Sequence, residues 1–145
     1  LTPIEAIAAG WIDQHPEYHA ELADEAAALA VRQRIDDGAG SGRAMRDVLV
    51  LQALGFPVDA GVRRAQLATA PAGGRPADPA VLAALVGASE AGAVGEAALL
   101  AAIAASPGPA ALDGPSLWVV ITSLRLVGLE DAARAIAVEA FLAPP

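Results

Sequence analysis

The sequence contains no cysteine. That excludes a disulfide, a thiolate nucleophile and sulfur-ligated zinc. It contains no lysine either: all nine basic residues are arginines, which we read as genomic composition bias. Aromatic residues make up 3% of the chain (Trp11, Tyr18, Phe56, Trp118 and Phe141), and there are two histidines. The richest apolar stretch, residues 81–103, is interrupted by Glu90, Glu96 and three glycines, and the next, 117–129, carries Arg125. Neither reaches the roughly 18–20 uninterrupted apolar residues of a membrane span, so the expectation is a soluble protein. A basic stripe is missing too. The net charge is −8, and residues 1–40 hold eight acids against Arg32 and Arg34. Sequence-independent binding to nucleic acid is therefore excluded. The chain opens at Leu1 with neither an initiator Met nor a signal peptide, which reads as a fragment or processed form. Either the bacterial cytoplasm or the periplasm suits this composition.

What is present is alanine and leucine. Of 145 residues, 55% are hydrophobic, and no long segment alternates apolar and polar residues as a half-buried strand would. Alanine is the best helix former and leucine packs well between helices. The class is all-α. Thr2-Pro3-Ile4-Glu5 reads as a helix start, with Thr2 at the cap and Glu5 three residues on. That helix should run to about Asp13. A second, from Pro16 to about Ile35, places Leu22, Ala26 and Leu29 on one face and Glu17, Glu21, Asp24 and Glu25 on the other. Residues 1–37 thus form an acidic helical hairpin. The segment 36–42 (DDGAGSG) is a flexible connector.

Residues 43–145 repeat a pattern. Helices are expected at about 43–54, 59–68, 79–91, 93–105, 115–127 and from Gly128 to about Leu142. Turn glycines fall at Gly55, Gly92 and Gly128, 37 and 36 residues apart, and the helix-starting prolines Pro79 and Pro115 are also 36 apart. A period in this range signals stacked αα-hairpins. The match extends into each second helix: Gly92, Ala97, Ala104 and Pro109 have the spacing of Gly128, Ala133, Ala140 and Pro145. In the first unit Gly55 and Ala60 fit, while Leu67 and Ala72 replace the later Ala and Pro. Small residues there let helices approach closely, and the proline ends the second helix.

This Gly, Ala, Ala, Pro pattern resembles the second half of a tetratricopeptide repeat, best over 92–109 and 128–145. The first helices lack that family's Trp/Leu/Gly/Tyr pattern, and the connectors are longer than a regular array has. The resemblance implies two N-terminal helices followed by three αα-hairpins stacked as a short superhelix, with an irregular helical bundle as the alternative. It also implies a protein or peptide as partner. In such arrays the first helices line the concave surface, which makes Arg46, Gln52, Trp118, Thr122 and Arg125 the candidate contact residues. Leu117, Ile121 and Leu124 share one helix face. The plainer reading of Trp118 is a core anchor beside them, because buried aromatics dominate cores.

Chemistry-bearing motifs are few. His15-Pro16-Glu17-Tyr18-His19, together with Leu1-Thr2-Pro3-Ile4-Glu5, resembles the start of a small bacterial family of unknown function over residues 1–22. Further histidines follow in that family, whereas none follows His19 here. Two histidines at i and i+4 can share a metal when both lie on one helix face. Pro16 puts His15 at or before the cap, so the stronger reading is structural: His15 caps, Glu17 favours the helix N-terminus and Tyr18 packs. The glycine-rich segment 38–42 lacks both a preceding strand and a Gly-Lys-Ser/Thr, and is a linker. Ser41, Ser89, Ser106, Ser116 and Ser123 lack the surroundings of a nucleophile. Paired acids such as Glu130 and Asp131 suit a helix N-terminus.

The sequence therefore points to a non-catalytic interaction module without cofactor. A small-ligand or metal binder using His15 and His19, and a structural subunit of a larger bacterial assembly, are the other two readings.

Overall fold

The computed structural model describes residues 42–58, 60, 61, 64 and 73–142. The acidic hairpin expected over 1–37, His15 and His19 within it, and most of the helix expected at 59–68 lie outside the described residues. Within them the protein is all-α. Five helices follow in order: α1 (Gly42–Ala53), α2 (Pro79–Glu90), α3 (Val94–Ala104), α4 (Gly114–Leu126) and α5 (Glu130–Leu142), with a 3-10 turn at Pro109–Ala111 before α4. None of the described helices is long and apolar enough to cross a membrane.

Local chemistry explains where these helices begin and end. Asp78 caps α2 by accepting the Ala80 amide at 2.8 Å, and Asp113 caps α4 by accepting the Ser116 amide at 2.9 Å. Each carboxylate satisfies an amide that the first turn leaves without a helical partner. Pro79 and Pro115 follow within the first two helical positions, where a missing N–H costs nothing.

The three turn glycines terminate α1, α2 and α4 in one way. Gly55, Gly92 and Gly128 have φ of +87°, +70° and +83°. Their amides donate to Gln52 O, Ser89 O and Arg125 O at 2.9, 3.1 and 3.0 Å. The next amides, of Phe56, Ala93 and Leu129, reach back to Leu51 O, Ala88 O and Leu124 O at 3.0, 2.9 and 2.9 Å. These paired bonds are the Schellman stop, which needs a left-handed residue that glycine adopts without strain.

Burial follows the same register. Counting back from each glycine, Val48, Leu85 and Ile121 occupy one offset and Leu51, Ala88 and Leu124 another, and all six are buried. Counting forward, Ala97, Ala101 and Ala104 in α3 correspond to Ala133, Ala137 and Ala140 in α5, again all buried. The alanines let each second helix approach its first closely, so contact between helix backbones replaces bulky side chains in the core.

α4 is the hub, packing against α1, α2, α3 and α5. Its inner face, with Leu117, Val120, Ile121 and Leu124, is fully enclosed. The segments leading into α2 and α4 are zipped in parallel: Arg75 N donates to Ala111 O at 2.7 Å and Asp113 N to Arg75 O at 3.0 Å. Ser116 Oγ also accepts the Ala77 amide at 2.9 Å. The two helices therefore set out side by side. α1 packs on α4 as well, so α4 lies between α1 and α2 in the packing. A stack laid down in chain order would instead put α2 between them. Gly114 contributes to the α1–α4 approach, since a Cβ there would sit 2.8 Å from Leu49 Cδ1 and 3.3 Å from Arg46 Cα.

Candidate functional site

The five contact candidates separate into an interior group and a surface group. Arg46 is interior, only 4% exposed. Its Nε donates to Leu112 O at 3.0 Å and one terminal nitrogen donates to Ala140 O at 2.9 Å. The other terminal nitrogen reaches Ala110 O at 3.2 Å and Pro109 O at 3.4 Å. The fork of donors thus collects carbonyls from the 3-10 turn, the residue that follows it and the last turn of α5, where helical carbonyls lack partners and cation binding is favoured. Buried Asp47 adds a carboxylate, its Oδ1 4.0 Å from an Arg46 terminal nitrogen. The sequence reading put Arg46 on a contact surface, whereas in the structure it is buried and joins three elements from within.

Arg125, near the end of α4, is only partly accessible. One terminal nitrogen donates to Ala53 O at 2.8 Å, capping α1, and its Nε lies 3.0 Å from Glu130 Oε1. Arg134 approaches the same oxygen at 3.8 Å. Arg125 therefore ties the end of α1 to the start of α5, and Gly55 makes room for it: a Cβ there would meet the guanidinium at 2.9 Å. Gln52 is half-buried on the last turn of α1.

Trp118 and Thr122 do lie on the surface. Trp118 is 37% exposed, so it is not the core anchor of the plainer reading; Leu117 takes that place one residue earlier. Thr122 is half-buried and its hydroxyl donates to Trp118 O at 2.7 Å. One turn further on, Leu126 is 64% exposed. Residues four apart lie one above another on a helix, so Trp118, Thr122 and Leu126 form a single outward stripe on α4.

Leu126 is the residue that sequence reading missed. It belongs to the apolar run 117–129, and nothing local distinguishes it from its buried neighbour Leu124. Only the helical angle, fixed by which face α1, α2, α3 and α5 cover, puts it outside. Among the described residues, no group of three or more His, Asp or Glu side chains gathers as a metal site. Neither a family model, a curated protein nor a solved structure matches the chain.

Proposed function

We propose that this chain is a non-catalytic interaction module of αα-hairpin type, which receives a protein or peptide on the outer stripe of α4. The observation that carries the reading is the exposure of Trp118 and Leu126 on a helix whose other faces are covered by four neighbours. A large aromatic and a leucine held in place by an enclosed helix lose little freedom on binding, and tryptophan is enriched among residues that dominate interfaces. The shared Schellman stops and the matched buried positions of α2–α3 and α4–α5 support the hairpin character, and the architecture we propose is a short stack of such hairpins in which α4–α5 lies between α1 and α2–α3.

The test is affinity capture from a native lysate with the wild type, Trp118→Ala and Leu126→Glu immobilised in parallel. A protein retained by the wild type should fall at least about tenfold in recovery with either variant, as expected for residues at the centre of an interface. Equal recovery from variants whose circular dichroism is unchanged would sink the proposal.

A further inference from the structure

We infer that the partner received on α4 is a basic amphipathic helix, seated along α2 and α4 together. This rests on α4 being a docking face and adds the chemistry of the occupant.

α2 and α4 run the same way from their paired leader segments and pack against each other. Counted back from the turn glycine of each, Leu82 and Val86 hold the offsets of Trp118 and Thr122, and Glu90 holds that of Leu126. Buried positions share offsets too, Leu85 with Ile121 and Ala88 with Leu124, so the two helices are turned to a similar angle. Residues four apart lie one above another on a helix. Beside the α4 stripe, α2 therefore presents a row of its own: Asp78 at the cap, then Leu82, Val86 and Glu90. Leu82 is half-buried, Val86 is 37% exposed, and the acid at either end is exposed. The row is about 18 Å long, and packed helices stand about 8–10 Å apart. Two parallel rows at that separation accept a single helix between them.

Charge decides which helix. Neither Asp78 nor Glu90 belongs to an ion pair among the described residues. α2 carries no basic residue, and the one arginine of α4, Arg125, is held by Glu130. Glu90 also stands in the last turn of α2, where the helix dipole favours a cation, so it does not serve its own helix. The face thus offers carboxylate, apolar, apolar and carboxylate groups at four-residue intervals. Its complement is a helix with a lysine or arginine at each end of an apolar ridge, at the same intervals. The net charge of −8 speeds the approach of such a partner.

Two labelled synthetic helices, titrated with the full chain and read by fluorescence anisotropy, provide the test. They share a leucine ridge on an alanine and glutamine background, and differ only in carrying lysine or glutamate at the ends of that ridge. The lysine peptide should bind at least about tenfold more tightly than the glutamate peptide. Trp118→Ala should weaken it at least about tenfold. Glu90→Arg, at an exposed position, should weaken the lysine peptide about threefold and strengthen the glutamate peptide. Equal binding of the two peptides overturns the basic helix. So does a lysine peptide indifferent to both variants, which the acids of residues 1–40 would then be holding. Binding of neither peptide overturns it as well, yet leaves the α4 stripe standing if lysate capture still depends on Trp118 and Leu126. Capture that ignores those two residues removes the stripe itself.

Discussion

Arg46 carries a full positive charge into the interior, where an unpaired ion costs several kcal/mol. It is tolerated because carbonyls of Pro109, Ala110, Leu112 and Ala140 surround its guanidinium and the Asp47 carboxylate lies nearby. Replacing it with alanine leaves those carbonyls without their donor and removes a cation from beside a buried acid. Urea denaturation should show Arg46→Ala less stable by about 3–5 kcal/mol. Arg46→Lys should recover less than half of that loss, because a single ammonium does not reproduce the planar fork. Full recovery by lysine would mean that charge alone matters. Nothing in the sequence marked this role: arginine is normally exposed, and an arginine early in a helix reads as solvated. The acceptors that make Arg46 structural lie more than sixty residues away.

At the scale of helices and turns, the sequence was informative because the determinants are local. Asp78-Pro79 and Asp113-Gly114-Pro115 start helices, and Gly55, Gly92 and Gly128 stop them, where spacing alone predicted. What spacing does not convey is that two glycines with similar positive φ can have different costs. Gly128 and Gly74 both have positive φ, +83° and +87°. A Cβ on Gly128 would meet open space, while one on Gly74 would lie 2.4 Å from Leu112 O, inside the paired segments that lead into α2 and α4. Gly128→Ala should therefore cost only the left-handed strain, about 1–2 kcal/mol. Gly74→Ala carries that strain and a backbone clash, and should lower the melting temperature clearly further. Equal shifts in a thermal melt would show that the leader pairing is soft.

At the scale of the molecule, α4 decides cohesion. Each of the other four described helices packs on it, so weakening its inner face should weaken all of them together. Ile121→Ala should cost about 2–5 kcal/mol and leave one cooperative unfolding transition. Glu139→Ala, on the exposed face of α5, should stay within about 0.5 kcal/mol. Two separated transitions in Ile121→Ala would show that α1 or the α2–α3 pair stands alone. The hub arrangement was not legible in the sequence. Periodicity gives the angle of a residue on its own helix, and Leu117, Ile121 and Leu124 were placed correctly in that way. It gives no information on which helix covers which, and so both Trp118 and Leu126 needed the packed structure to be located outside.

The grip of Arg46 also has a consequence for how the chain is made. Its bond to Ala140 O spans 94 residues, and its other acceptors belong to segments that follow α2 and α3. A ribosome adding about 5–20 residues per second needs on the order of ten seconds to supply that interval. Until residues 109–126 have been added, α1 lacks both the helix it packs on and the first of these carbonyls, and the Ala140 carbonyl comes later still. The first described helix thus awaits the last, and synthesis of α5 is the event that lets α1 be fastened in place.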